Sequence, residues 1–591
     1  MTPLPEEIAA ASCDAGRDGA LTPASPPSSQ PVWRTRGAIV AAVIIFFALL
    51  QIWRPYFFLT DDNMSGVLPG FTEFGNLLRQ GKFPRHSESL YAGTYDFWRD
   101  PGVISFLFPV HTLAALVATT SLRLFVIDGI TLLNLIIGAL AMHACVRAYC
   151  RRFDRPLPDG IAAFIGVSYV TTVYSLAIGS SWFNFLANQA AMPLIAIGLV
   201  VPRRKTGIAI VCGGMLYNLL AGHLSPFFYT VLFLGILALA TAALLKSWEA
   251  VWRYACGSLF ALVIVSPVLI AILSSFAGTT RNSAMAEAIA VQCNLPVPAL
   301  IGGALAGIDS IAGWNFRPVL GYLAEIPLPL SFSAIAICLL GLLFYARKFS
   351  RVEWTIVAIL AVVALFVHRP LWLQTLIAHV PLYRSLRWPM RETFVFLFFA
   401  HLLLALGWRY FHRRLAVVLP AASAAIYLVP LFFAASPTLN RFPVDRLLLL
   451  DGRAERVWRE VGDLLPGAHN CYIVPLLQNA ERGWGSRVFI SQAPHTLLGG
   501  YSYPVLFSMK SATGYTMPGF AQEFRNQRPM LGPGYFTSSR FAASDLEDPQ
   551  LLFTRLASLN PVTIEYRMGL SVVHATFPAG LASEPVVARV Q

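Results

Sequence analysis

Between Gly37 and Ala435 the chain is a succession of apolar runs, each of roughly 17 to 25 residues, and beyond Ala435 the runs stop. A run of that length crosses hydrocarbon as one helix, because in a helix every backbone N–H and C=O finds a partner where no water is present. The pattern therefore predicts a mainly α, polytopic membrane bundle over residues 34–435. Composition agrees: 56% of the 591 residues are apolar and only 13% are charged, with a mean hydropathy of +0.60, far from the balance of a soluble domain. Residues Met1 to Trp33 are rich in Pro, Ser and Ala and bury too little apolar surface to order, so they read as a disordered cytoplasmic tail without the basic start of a secretory signal.

Basic residues assign the two ends of the bundle. Arg34 and Arg36 precede the first run, and Arg147, Arg151, Arg152 and Arg155 follow the run from Phe125 to Val146. Lys and Arg accumulate on the cytoplasmic side of membrane helices. Alternation from there gives further spans near Gly160–Ile178, Asn184–Val201, Gly207–Gly222, Phe227–Leu245, Tyr254–Phe276, Leu328–Tyr345, Trp354–Val367, Thr393–Trp408 and Leu415–Ala435, about eleven in all. The inner loops then hold fifteen Lys or Arg against four acids, Asp154, Asp159, Glu249 and Glu353. An odd count places the N-terminus inside and residues 436–591 on the outer side of the cytoplasmic membrane. That tail alternates a helix-like stretch (Asp451 to Leu465) with β-branched runs (CYIVPL, SRVFIS, PVTIEYR, LSVVHATF) and predicts a small extracytoplasmic α/β domain.

The formal charge of +13 is spent at span ends, which argues against a nucleic-acid partner. None of the eight cysteines forms a CxxC pair. Cys293 and Cys471 fall on the outer side and read as two thiols or one disulfide. No Walker loop, dinucleotide fingerprint, HExxH or GxSxG elbow stands in a fitting context.

Three outer segments are long, 60–102, 277–327 and 368–392, and eleven of the fifteen acids between Gly37 and Ala435 lie on that side. Loops carry function, so chemistry is expected there. The apolar stretch Val103 to Ala118 reads as a helix lying at the outer surface or dipping into the membrane. Asp61 and Asp62 directly follow the first span. Two carboxylates beside hydrocarbon are costly unless they meet water, a cation or a substrate, and one of them could serve as a general base; a solvated helix cap is the plain alternative. Arg384, Arg387 and Arg391 stand three and four residues apart before the Thr393 span, a spacing that aligns them on one helical face suited to phosphate, or to lipid headgroups alone. His223, His368 and Arg369 sit at outer span ends, as phosphate or hydroxyl ligands or as structural hydrogen-bonders. Asp128, a few residues into its span, is an intramembrane acid with Arg123 as a plausible partner.

Three stretches carry a resemblance: DDNMSGVLPGFTEFGNLLRQGKFPRHSESLYAG after the first span, AGHLSPFFY at His223, and SLRWPMRETFVFLFFAHLLLALG before the late span. Together they resemble the integral-membrane glycosyltransferases of the GT-C fold and, within them, the YfhO-like bacterial membrane proteins. The resemblance implies transfer of a sugar from a polyprenyl-phosphate carrier to a glycan, lipid or protein acceptor on the outer face. By position relative to Pro69 the family's loop aspartate corresponds to Asp62, with Asp61 beside it. Arg85 and His86 stand where a Trp-Asn-Pro run is common in the family. No second acidic motif stands out, so the part of a divalent metal stays open. A transporter or flippase of a lipid-linked glycan would need polar groups through the depth of the membrane and matched broken helices in two repeats; the sequence reads as polar at one end only, without a repeat. A non-catalytic envelope-assembly protein would keep the fold and drop the chemistry.

Overall fold

The computed structural model describes residues 32–59, 63–87, 89, 95–97, 106–276, 334–379, 393–412, 414–433, 472–477, 505–506, 510–511, 562–566, 571–576 and 587–590. Helix α1 runs Val32–Trp53 and is followed by a π-helical turn, Asn63–Val67, that leads into α2, Leu68–Arg79. A short antiparallel pair, β1 (His86–Ser87) and β2 (Tyr95–Asp96), precedes α3, Pro109–Val117. The bundle continues with α4 (Phe125–Arg152), α5 (Asp159–Val170), α6 (Val173–Ser181), α7 (Asn184–Val200), α8 (Arg204–Leu220), α9 (Leu224–Leu245) and α10 (Glu249–Phe276). After it come α11 (Ala336–Leu343), α12 (Arg351–His368), α13 (Leu371–Ala378), α14 (Thr393–Gly407) and α15 (Leu415–Phe433).

Among the described residues seven stretches are long and apolar enough to cross a membrane, those of α1, α4, α5 with α6, α9, α10, α12 and α14. The chain is a multi-pass helical membrane protein. Helices α7, α8, α11 and α15 occupy the other expected spans and are not among these seven. Burial separates the middle of the bundle from its rim. The α14 stretch has 83% of its window buried and α10 only 22%, so α14 is a central post and α10 turns most of its surface to lipid.

The expected outer loop 60–102 is partly helical. Residues Leu68 to Gly75 of α2 are buried, and α2 packs so closely on α3 that a Cβ at Gly75 would stand 2.0 Å from the Ala115 carbonyl oxygen. The expected single span 160–178 is in fact two helices broken at Thr171 and Thr172. Both residues are β-branched, and both turn their hydroxyls onto the backbone, a habit that competes with helical bonding. Thr171 Oγ1 donates to the Val167 carbonyl at 3.0 Å, and Thr172 Oγ1 accepts from the Ser175 N–H at 3.0 Å, capping α6. The Thr171 carbonyl freed by the break accepts from the Tyr427 hydroxyl of α15.

Neutral polar groups are also buried around the α5–α6 break, in the middle of the stretch Asp159–Ser181, which corrects the reading that the chain is polar at one end only. Gln189 donates to the Tyr169 carbonyl at 2.8 Å and accepts from Ser175 Oγ at 3.0 Å, while the Tyr169 hydroxyl donates to the Gln189 carbonyl at 2.8 Å. His401 of α14, fully buried, lies 2.7 Å from the Leu397 carbonyl and 3.1 Å from Ser168 Oγ. In a medium without water each such group needs an internal partner, and α5, α6, α7, α14 and α15 supply one another's.

The basic end of the bundle is locked by carboxylates. Glu353, fully buried at the start of α12, lies 3.4 Å from Arg155 and 3.4 Å from Arg409, and it completes a capping box with Ser350. Arg155 also donates to Ser350 Oγ at 2.9 Å. These contacts bring the α4–α5 connection, the start of α12 and the end of α14 to one end, as the alternation of spans requires. Arg147 and Asp159 pair there at 3.1 Å. Exposed Trp33, Trp248, Trp252 and Trp354 mark the same end, in the manner of an interfacial aromatic belt.

In the tail, described strands form one mixed sheet in the order β4-β3-β6-β5-β7, with β3 (Tyr472–Leu477), β4 (Lys510–Ser511), β5 (Val562–Tyr566), β6 (Ser571–Thr576) and β7 (Val587–Val590). Three of them fall on β-branched runs named above; the SRVFIS run and the helix-like stretch 451–465 lie outside the described residues. The buried turn Val505–Leu506 meets the membrane bundle, where Arg123 donates to the Leu506 carbonyl at 2.7 Å.

Replacing Glu353 with Ala leaves two arginines facing each other across a buried gap. Breaking such an arrangement costs about 3 kcal/mol, so the melting temperature of the detergent-purified protein is expected to fall by several degrees. An unchanged melting curve would show that the cluster holds nothing together.

Candidate functional site

The end of the bundle opposite the basic belt is organised by side-chain amides and the buried acid Asp128. Past Trp53 the chain turns sharply, with Tyr56 in the left-handed region at φ 56°. A non-glycine residue reaches that conformation only at a cost of about 1 kcal/mol, so something must hold it. Gln51 does: its Oε1 accepts from the Tyr56 N–H at 2.6 Å, and its Nε2 donates to Asp128 Oδ1 at 2.9 Å. Asp128 Oδ1 accepts a second bond from the Phe58 N–H at 3.2 Å. Asp128 is 4% exposed, and its described hydrogen bonds make it an anchor of the turn rather than a group presented to solvent. Arg123, the neighbour expected for Asp128, donates to the Leu506 carbonyl of the tail.

Asn63 fixes the other side of the same segment. It is fully buried, and its Nδ2 donates to the carbonyls of Phe58, Gly179 and Ser180 at 2.8, 2.7 and 3.0 Å, while its Oδ1 accepts from the Phe183 N–H at 3.1 Å. One carboxamide thus joins the end of α1, the π-helical turn, the last turn of α6 and the start of α7. Phe58 is held at its N–H by Asp128 and at its carbonyl by Asn63. Asp61 and Asp62 occupy the interval between Leu59 and Asn63 in the chain and lie outside the described residues. So do Arg384, Arg387 and Arg391.

His223 belongs to the same end. It is the N-cap of α9, its ring Nδ1 accepts from the Ser225 N–H at 3.1 Å, and its own N–H donates to Asn188 Oδ1 at 2.7 Å. Acceptance at Nδ1 fixes the neutral tautomer with the proton on Nε2. The ring lies 4.9 Å from Phe185, two residues past the Phe183 that Asn63 holds. Asn188 also donates to the Asn218 side chain at 2.7 Å, so the α8–α9 turn and the α6–α7 turn form one connected platform. His223 serves first as a helix cap.

A second buried histidine, His111 of α3, fills the space beneath α2. Its ring centroid lies 5.9 Å from Phe71, 5.3 Å from Phe108 and 5.3 Å from Phe183. Nearby, Ser87 donates to the buried carboxylate of Glu73 at 2.6 Å. His368 ends α12, and Arg369 caps it at φ 48° with its side chain 1% exposed. Phe366 of that helix packs on Phe233 of α9, 5.5 Å between ring centroids.

The structure therefore brings Asp128 and His223 onto one amide-stitched platform that flanks positions 60–62. Gln51, Asn63, Asn188 and His111 are the functional-end residues that sequence reasoning missed; a buried neutral amide leaves no charge or spacing signal, though Asn63 stands next to the acidic pair. Among the described residues no three His, Cys, Asp or Glu gather in a way that could hold a metal ion.

No family model matches the chain, and no curated protein matches it. Among solved structures it is similar to the arabinofuranosyltransferase AftD from mycobacteria, at 12% sequence identity and a TM-score of 0.42, over 92% of this chain and 40% of that one. The chain thus spans about two fifths of that protein's length.

Replacing Asn63 with Leu keeps its bulk and strips three carbonyls and one amide of their partner. Each buried group left unpaired costs about 1 to 3 kcal/mol, so the purified Asn63→Leu protein should melt well below an Asn184→Leu control. Equal melting of the two would remove Asn63 as the fastening of this platform.

Proposed function

We propose that this chain is a membrane glycosyltransferase of the GT-C type that moves a sugar from a polyprenyl-phosphate carrier to an acceptor hydroxyl at the outer face of the cytoplasmic membrane. The observation that supports this reading most is the platform made by Gln51, Asn63 and Asp128, which holds the chain on both sides of the interval containing Asp61 and Asp62. Preorganised geometry of that kind is what a catalytic carboxylate needs and what a merely solvated cap does not.

In this mechanism the carboxylate of Asp62, or of Asp61 beside it, takes the proton from the acceptor hydroxyl as that oxygen attacks the anomeric carbon. The new glycosidic bond forms as the bond from the anomeric carbon to the phosphate oxygen breaks, and its electron pair leaves on polyprenyl phosphate. Arg384, Arg387 and Arg391 offset the charge that gathers on the departing phosphate, with His368 and Arg369 entering from the end of α12. A lipid-borne donor accounts for a site at the bilayer edge. Residues 436–591, on the outer side in this reading, would flank the acceptor.

A second reading, a transporter or flippase of a lipid-linked glycan, draws support from the break between α5 and α6 and from the buried polar groups around it. The two are separated by comparing envelope glycans, lipids and proteins of cells lacking the protein and rescued with native or Asp62→Asn chains. The enzyme reading expects Asp62→Asn to restore less than about a hundredth of the transferred sugar, with the lipid-linked donor accumulating on the outer face. Equal restoration by both chains would end it, and donor trapped on the inner face would favour the transporter.

A further inference from the structure

The corner of the basic end formed by the α7–α8 and α9–α10 connections has the make-up of a headgroup site. Arg253 of α10 is buried and donates to the Leu199, Val201 and Pro202 carbonyls that end α7. Glu249 lies 3.1 Å from Arg253 and 3.7 Å from Arg204. These contacts stitch the two connections into one surface. With Glu249 engaged by Arg253 and Arg204, exposed Arg203, Lys205 and Lys246 make no ion pair among the described residues. Beside them Trp248 and Trp252, four residues apart on neighbouring turns, are 68% and 56% exposed. Elsewhere at this end Arg147, Arg155 and Arg409 are paired with Asp159 or Glu353, and the exposed Arg347, Lys348 and Arg351, which also make no ion pair among the described residues, are followed by one exposed indole, Trp354, rather than two.

We propose that this corner binds an anionic phospholipid of the surrounding bilayer, the phosphate held by Arg203, Lys205 and Lys246 and the glycerol and upper chain region packed on Trp248 and Trp252. Three unneutralised cations on a rigid corner suit a negatively charged headgroup, and exposed indoles suit the level of a bilayer at which that headgroup lies. A zwitterionic lipid offers the same chains without net charge and gains little from the three cations. The site is independent of any glycosyl transfer and lies at the opposite end of the bundle from the Asn63 platform.

The test is native mass spectrometry of the full chain in detergent, titrated with phosphatidylglycerol or with phosphatidylcholine. The chain is expected to retain phosphatidylglycerol roughly a hundredfold better, the product of three cations. Each Lys or Arg near an anionic lipid surface contributes roughly a fivefold factor, so the triple variant Arg203→Ser, Lys205→Ser, Lys246→Ser should lose most of that preference. A matched variant, Arg347→Ser with Lys348→Ser and Arg351→Ser, removes the same charge elsewhere at this end and should keep it. Equal retention of the two lipids, or equal losses in the two triple variants, would overturn the site. Displacement of the lipid by inorganic phosphate alone would show a site for free phosphate and overturn it as well. Should the first triple variant fail to accumulate, Trp248→Ala with Trp252→Ala tests the same corner, and unchanged retention there counts against it.

Discussion

Backbone hydrogen bonding in hydrocarbon is the constraint from which this architecture follows. An uninterrupted helix meets it unaided, and wherever the chain departs from one a side chain must take over. The structure departs in two consequential places, the break at Thr171 and Thr172 and the turn after α1. At the first, a tyrosine hydroxyl from α15 and a threonine cap close the gap. At the second, one glutamine, one asparagine and one aspartate do so, and the asparagine alone serves four backbone groups.

The two ends of the bundle are consequently built from different chemistry. One end is held by ion pairs, with Glu353 between Arg155 and Arg409 and with Glu249 against Arg253. The other is held chiefly by neutral amides, with the buried carboxylates of Asp128 and Glu73 beside them. Amides fix direction as well as distance, since each donor and acceptor is consumed by a particular partner, whereas charge pairs tolerate more slack. Such directional fixing suits an end at which bond making is proposed, and the looser electrostatic arrangement suits a lipid-facing base.

Much of the membrane fold was legible because length and hydropathy are one-dimensional properties. The runs at α1, α4, α9, α10, α12 and α14 coincide with long apolar helices, and the acids Glu249 and Glu353 fall among the arginines that the charge pattern had grouped with them. The split of the third span was not legible, since Thr171 and Thr172 are ordinary residues in an apolar run and only their hydroxyl geometry ends α5. Helix α2 was hidden by the glycines and prolines of its neighbourhood, and its closeness to α3 depends on the missing side chain of Gly75. Asp128 stood out by its charge, but its partners Gln51 and Phe58 come from a helix end distant in sequence, and spacing does not encode such a meeting. His223 was found by position; its duty as a cap becomes visible only with Ser225 and Asn188 beside it.

The Glu353 cluster also bears on how the bundle is assembled. Its members come from the connection after α4, the start of α12 and the end of α14, so Arg155 emerges from the ribosome roughly two hundred residues before the carboxylate that meets it. During that interval the first half of the bundle stands in the bilayer with an uncompensated guanidinium at its base. Insertion of α12 and α14 supplies the missing charge and joins early helices to late ones, so the contact can form only when nearly all of the membrane region has been made. A nascent chain interrupted before α12 would lack this closure.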